Sequence, residues 1–360
     1  MTHAAPTSPV DRAGLRQRID KSLAAFLNER RRWMTGVDEA LIPVAETLEG
    51  FVLGGGKRLR PAFAYWGYRG AGGFDSDQVV TTLAALEFVQ ASALIHDDVI
   101  DRSDTRRGGP AVHRRFAGRH RTAGWVGDPD GFGAAAAILL GDLCLVWSDE
   151  LLHGGGLDPE TVARARPVFD EMRTEVTVGQ YLDVLTQASA DTSVTRASKV
   201  ACYKSAKYTI ERPLLLGAAL ADAPEPVRRT YSGYGLPLGE AFQLRDDVLG
   251  VFGDPEQTGK PAGDDLREGK RTYLVAAAME MADPADQTLL ADRLGDPTLE
   301  PAMVDRLRAI IDGSGALART ERRIGELTDA ALTALDGADL DAEARRVLVD
   351  LAFVATRRAD

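Results

Sequence analysis

Helical spacing of apolar residues runs through nearly the whole chain and leaves little room for any other architecture. Leu15, Ile19, Leu23 and Phe26 recur at helical intervals, as do Leu83, Leu86, Val89 and Ala93, and later Val304, Leu307 and Ile311. Period-two alternation with β-branched residues is nearly absent, so an all-α protein is expected. The spacing predicts helices over 11–33, 36–53, 59–70, 77–102, 131–152, 159–187, 193–220, 225–252, 271–282, 299–313, 317–335 and 341–357. Their ends carry stop signals: GGG at 54–56, GG at 72–73 and 108–109, GGG at 154–156, DAPEP at 222–226 and GDP at 253–255. Segment 113–131, HRRFAGRHRTAGWVGDPDG, reads instead as a long, basic, solvated loop. Residues 1–10 read as a disordered N-terminus and the last few as frayed. Length alone would suggest roughly two domains, but no linker is visible, so 11–360 reads as one.

A net charge of −11 argues against nucleic acid as a partner, because a phosphate backbone needs a basic stripe. Cys144 and Cys202 are too few for a disulfide framework and lack metal-ligand spacing, which fits a reducing cytoplasm and two buried thiols. The N-terminal MTHAAPTSPV has neither the basic nor the apolar part of a secretion signal. AAAAILL at 134–140, the longest apolar run, falls short of a membrane span. A soluble, cytoplasmic protein is expected.

Charge is concentrated in two passages, LIHDDVIDRSDTRRGGP at 94–110 and FQLRDDVLGVFGDPEQTGKPAGDDLREGKRT at 242–272. On a helix Asp97 and Asp101 stand one turn apart on one face, while Asp98 points elsewhere. In a cleft two such carboxylates repel by about 3 kcal/mol at an effective dielectric near 20, so a cation becomes almost obligatory. Gln243, Asp246 and Asp247 supply a second acidic face. Oxygen-only donors without His or Cys suit Mg²⁺, which shares its shell with water and phosphate. Basic residues are grouped separately: Lys57, Arg58 and Arg60 in GGGKRLRP, then Arg106 and Arg107, Lys204 and Lys207 beside Ser205, Lys260, and Lys270 with Arg271. Glycines admit an anion to the backbone, and Arg grips phosphate oxygens in a fork. Five basic clusters and two acidic faces imply more phosphate than one mononucleotide, with one diphosphate held through metal and the arginines holding a second or helping with the first, and no Walker or dinucleotide-binding loop is present.

These motifs, with ILLGDLC (138–144), GQYLD (179–183), YKSAKYT (203–209) and GKPAGDDLREGKRT (259–272), resemble in order and spacing the trans-polyprenyl diphosphate synthases. The resemblance covers nearly the whole chain and is most like that to bacterial geranylgeranyl diphosphate synthases. It implies an isoprenoid synthase-type helical bundle around a central apolar cavity, usually paired as a homodimer, that condenses isopentenyl diphosphate head-to-tail with an allylic diphosphate. By position Asp97, Asp101 and Asp246 would bind Mg²⁺ around the allylic diphosphate, with Asp247 and Asp265 in support. The resemblance implies about three ions per site, with Mn²⁺ able to substitute. Lys204, Lys260 and Arg106 would contact the same diphosphate, with Lys270 behind them. Lys57, Arg60, Gln90 and Arg107 would bind isopentenyl diphosphate without metal, and Ser205 and Gln243 would face the ionising carbon. His96 reads as a packing residue or one behind the metal ligands, not as a catalyst.

Two positions depart from the family pattern: Gly250 stands where many members carry a third Asp, and Ser205 where Thr is usual. Gly250 removes a carboxylate that Asp254 or Asp265 could replace. A class I terpene cyclase would lack the second diphosphate site, and a non-catalytic subunit of a heteromeric synthase would have lost one acidic motif. Family resemblance also implies that the growing chain runs along the helix of the first motif toward earlier turns. Ser92 and Ala93 are small and would pass a C15 chain, with Val89 and Leu86 a moderate stop one turn further. Geranylgeranyl diphosphate (C20) is therefore the expected product, with farnesyl or longer (C25 and above) diphosphates as alternatives.

Overall fold

The computed structural model describes residues 9–254 and 263–357. A short turn, Pro9–Gly14, buries Val10 and leads into α1 (Leu15–Val37), α2 (Ile42–Leu53), α3 (Leu59–Gly70) and α4 (Asp77–Ile100). A two-residue β-hairpin, Thr105–Arg106 with Gly109–Pro110, precedes α5 (Val112–Ala123), α6 (Pro129–Gly154), α7 (Pro159–Ala188) and α8 (Val194–Val200). A π-helix, Ala201–Glu211, continues directly into α9 (Arg212–Leu220). Then come α10 (Glu225–Phe252), α11 (Asp264–Glu268), α12 (Tyr273–Met281), α13 (Pro284–Arg293), α14 (Pro301–Gly313), α15 (Ala316–Ala334) and α16 (Ala342–Thr356).

Capping fixes several starts. Ser76 accepts from the Val79 amide at the head of α4, and Asp158 does the same for Thr161 at the head of α7. α4 is the central helix: Leu83, Leu86, Phe88, Val89 and Ile95 are all buried, each such side chain contributing about 1.5–3 kcal/mol of burial. Phe88 joins Phe26 and Trp147 in a cluster of rings 5.2–6.0 Å apart, tying α4 to α1 and α6. A second apolar cluster, including Leu244, Leu274, Leu307 and Ile311, packs the C-terminal helices onto α10.

Four expectations change. Pro9 and Val10 belong to the first turn, with Val10 buried in the core, so the disorder expected over 1–10 does not hold for them. The supposed loop 113–131 contains a helix, α5, whose Val112, Phe116, Ala117 and His120 are buried. Their helical spacing was masked by interleaved arginines and Gly118. α13, started by Asp283 with Pro284 behind it, went unread because its inward face contributes one buried residue, Leu290. Cys144 is buried as expected, but Cys202 is only partly so.

AAAAILL lies within α6, and by length and composition alone α4 and α6 could each cross a membrane. For α4 the relevant window is 72% buried inside the protein, whereas for α6 it is 39%. The difference is an exposed stripe on α6, including Ile138, Leu139 and Val146, matched on α7 by Val178, Tyr181 and Val184.

Candidate active site

A cavity of about 680 Å³ opens among α3, α4, α7, the π-helix and α10. Its wall is mixed rather than purely apolar, setting Ala93, Leu94, Val176 and Phe242 beside many charged groups. Asp97 lies on the last turn of α4, and Asp246 and Asp247 near the end of α10. Asp101 caps α4 behind the lining, 3.3 Å from the Lys270 ammonium.

Lys204 stands between Asp97, at 3.1 Å, and Asp183, at 2.7 Å, while Gln180 donates to Asp97 at 2.9 Å. Neither Gln180 nor Asp183 was singled out from sequence, although both lie in GQYLD. The local reason for the meeting is Gly179: a Cβ there would come 2.4 Å from the Lys204 backbone nitrogen, so only glycine lets α7 approach the π-helix this closely. The wide turns of the π-helix bring Ala201, Lys204, Ser205, Tyr208 and Thr209 to the cavity. Lys207 faces away onto Glu175 at 2.7 Å.

Electrostatics set the acidic wall apart. Burial works against ionised Asp97, but Lys204, Lys270 and Arg106 hold its carboxyl well below the ordinary range. Burial and then Asp97 push Asp101 up to about 6, against Lys270 and Lys204. Burial pushes Asp247 up to about 8, with Asp265 and Asp246 adding to the rise while the Gln243 amide, donating at 2.7 Å, opposes it. Lys270 touches Asp101, Asp265 and Glu268 and so bridges the two acidic passages. Among the described residues no ready-made cage of three metal ligands forms. Oxygen donors facing one another across a cavity, with more negative charge than they comfortably ionise, nevertheless suit Mg²⁺, which takes one or two carboxylates and fills its shell with water and phosphate.

The basic residues divide into two kinds. Arg58 is 3% exposed, in a left-handed backbone (φ 52°), and bonds Glu87 at 2.5 Å, Asp20 at 2.9 Å and the Val52 carbonyl. Arg106 forks onto the buried Asp98. Arg58 is thus used by Glu87 and Asp20, contrary to the expectation that basic groups stand apart from acids, while Arg106 serves Asp98 and also lines the cavity, 3.8 Å from Asp97. Arg60 instead stacks over the Tyr208 ring at 4.2 Å and donates to Thr209, and the Tyr208 hydroxyl donates to Gln90 at 2.7 Å. Arg107, also left-handed (φ 53°), donates to the Phe51 and Gly55 carbonyls. Lys57, Arg60, Gln90 and Arg107 all line the cavity, as do Ser205, Gln243 and Lys270.

Of the chain-length residues only Ala93 reaches the cavity; Ser92 and Val89 are packed in the core. Lys260 lies outside the described residues. His96 sits 3.0 Å from the Ile138 carbonyl on α6, a packing position as expected.

A polyprenyl synthetase family model matches residues 43–311. The chain belongs to the polyprenyl synthetase family. This synthetase is therefore a prenyl-transferring enzyme with the all-α isoprenoid synthase bundle. It is 32% identical over 299 residues to a geranylfarnesyl diphosphate synthase of Aeropyrum pernix, covering 82% of this chain and 87% of that protein. An octaprenyl diphosphate synthase of Escherichia coli is 30% identical over 85% of this chain and 87% of its own. Among solved structures, a geranylgeranyl pyrophosphate synthase of Corynebacterium glutamicum, complexed with isoprenyl diphosphate and magnesium, matches with a TM-score of 0.93 at 42% identity, over 96% of this chain and 98% of that one. The names span several product lengths, so likeness by itself does not choose one.

Proposed function

We propose that this synthetase condenses isopentenyl diphosphate head-to-tail with an allylic diphosphate and releases geranylgeranyl diphosphate, C20. The observation that supports the reading is that acidic ends of two helices and a separate set of basic side chains share one cavity. Asp97, Asp101 and Asp246 would hold Mg²⁺, or Mn²⁺ in its place, with about three ions per site. Bound metal supplies positive charge that stabilises diphosphate as a leaving group. Lys204, already at the edge of the acidic wall, shifts to the allylic diphosphate, and Lys260 joins it. Lys57, Arg60 and Arg107 bind isopentenyl diphosphate directly, and Gln90 is oriented for it by Tyr208. Ser205 and Gln243 turn oxygen dipoles toward the ionising carbon, while Ala93, Val176 and Phe242 keep water from the allylic cation. The proton lost after the new bond forms goes to the departing diphosphate, so no side-chain base is required.

The small side chain of Ala93 where the cavity meets α4 supports passage of a chain beyond C15, and C20 is the shortest product that this allows. We further propose one catalytic domain over 11–360, a cytoplasmic location and a homodimer, because the apolar stripes of α6 and α7 would be covered by a second copy of the chain. Incubating the purified protein with isopentenyl and farnesyl diphosphates and reading products by mass spectrometry tests the reading. No elongation would overturn prenyl transfer; elongation ending at any length other than C20 would overturn the product assignment. Sedimentation as a monomer would remove the dimer.

A further inference from the structure

The second acidic passage lacks a carboxylate at position 250, where Gly250 sits on the last turns of α10, four residues after Asp246 and three after Asp247. Those intervals put it on the same helix face as both aspartates. Glycine inside a helix is costly unless something needs the space, and here something does. A Cβ at 250 would lie 1.9 Å from Oδ2 of Asp265 and 2.5 Å from its Cγ. Asp265 belongs to α11, beyond the connection that follows α10, and its side chain is largely buried, with Oδ1 3.7 Å from Lys270. The space a side chain at 250 would take is thus filled by a carboxylate arriving from another helix.

We propose that Asp265 supplies the third carboxylate of the α10 acidic wall, and that the missing side chain of Gly250 is the gap through which it reaches that wall. The inference rests on the reading that this wall binds a metal–diphosphate. It assigns position 250 a spatial role without any charge of its own. Adding a single methyl group there therefore acts like deleting a carboxylate, because it displaces Asp265 from the wall.

The test uses the full chain and Mg²⁺-dependent binding of inorganic pyrophosphate, measured by titration calorimetry without substrate turnover. Asp265→Ala and Gly250→Ala should each weaken that binding, roughly tenfold to a hundredfold as expected for a group that orients metal ligands. The double variant Gly250→Asp with Asp265→Ala returns a carboxylate to the same space from α10 itself, and should bind more tightly than Asp265→Ala alone. Asp265→Ala leaves α10 untouched, so it and the double variant decide the matter even if Gly250→Ala folds poorly. Wild-type binding in Asp265→Ala, or in a folded Gly250→Ala, would overturn the proposal, as would a double variant no better than Asp265→Ala. If the wild-type protein itself bound no Mg²⁺–pyrophosphate, the underlying reading would fall and the proposal with it; normal wild-type binding with unaffected variants would sink only the role of Asp265.

Discussion

The two charged walls of the cavity solve opposite problems. On the acidic wall Asp97, Asp246, Asp247 and Asp265 crowd together with Asp101 just behind them, and burial, followed by the neighbouring carboxylates, pushes Asp101 and Asp247 up to about 6 and about 8. On the basic wall Arg60 and Arg107 are held mainly by neutral partners: an aromatic face, a hydroxyl and two carbonyls. Neutral partners orient a guanidinium without cancelling its charge. One wall therefore suits added cations and the other an anion as it stands, the division that the proposed pairing of a metal-borne with a bare diphosphate requires.

The comparison is broken most severely by removing a carboxylate. Asp97→Ala or Asp246→Ala should lower kcat on the order of a thousandfold, because the metal charge at stake amounts to several kcal/mol in the transition state. Steady-state assays across Mg²⁺ concentrations check this, and near-normal turnover in either variant would remove the acidic wall from the metal site. A smaller and more selective effect belongs to the other wall. Arg107→Ala or Lys57→Ala should raise KM for isopentenyl diphosphate roughly tenfold to a hundredfold, the worth of a charged hydrogen bond, with little change for the allylic partner. Equal rises for both substrates would mean that the walls are wrongly divided.

The crowding also fixes a pH dependence. In the folded, metal-free protein Asp247 binds its proton up to about pH 8, whereas an unfolded aspartate releases it near 4. Between those values the folded state holds more protons, so stability is greatest at the acidic end of the window and falls as pH rises through it. Denaturant unfolding in the presence of chelator should lose up to a few kcal/mol between pH 5.5 and 8, and Asp247→Asn should flatten that slope. The basic wall predicts no such slope in this range, since its guanidiniums stay charged. A slope unchanged in Asp247→Asn would place its origin elsewhere.

The two walls were not equally legible in the sequence. Asp97, Asp101 and Asp246 could be found because repeated aspartates on helix faces have few structural explanations, and the family motifs supplied their order. Asp183 could not, because its meaning depends on Lys204, which only the π-helix and the close approach at Gly179 bring beside it. Arg58 looked like its neighbours in the chain, yet it is spent on Glu87 and Asp20, and Arg106 reaches the cavity with the buried Asp98 as its partner. A sequence displays a charge but not its partner. The same limit explains Gly250, which reads as a missing carboxylate until Asp265 is seen in its space. The fold itself was read better than the site because helical spacing is local. It failed at α5, where arginines interrupt the apolar positions, and at α13, where only Leu290 is buried.

The smallest effect on rate should come from substitutions that touch neither wall, and these separate charge from shape. Ala93 lines the cavity one turn before Asp97, whereas Ser92 is 4% exposed in the core, one turn above Phe88 in the Phe26–Phe88–Trp147 ring cluster. Ala93→Phe places a ring where another isoprene unit would lie, so the product should shorten while KM for isopentenyl diphosphate and the requirement for Mg²⁺ stay as they are. Ser92→Phe must instead force a ring into packed core, at a cost of about 1–3 kcal/mol in stability. It should lower the melting temperature more than Ala93→Phe does and shift product length less. Mass spectrometry of the products beside thermal unfolding of both variants distinguishes the two positions. If Ala93→Phe leaves chain length unchanged, the growing chain does not pass that turn of α4, and the apolar route from the acidic wall must be sought along α7, where Val176 lines the same cavity.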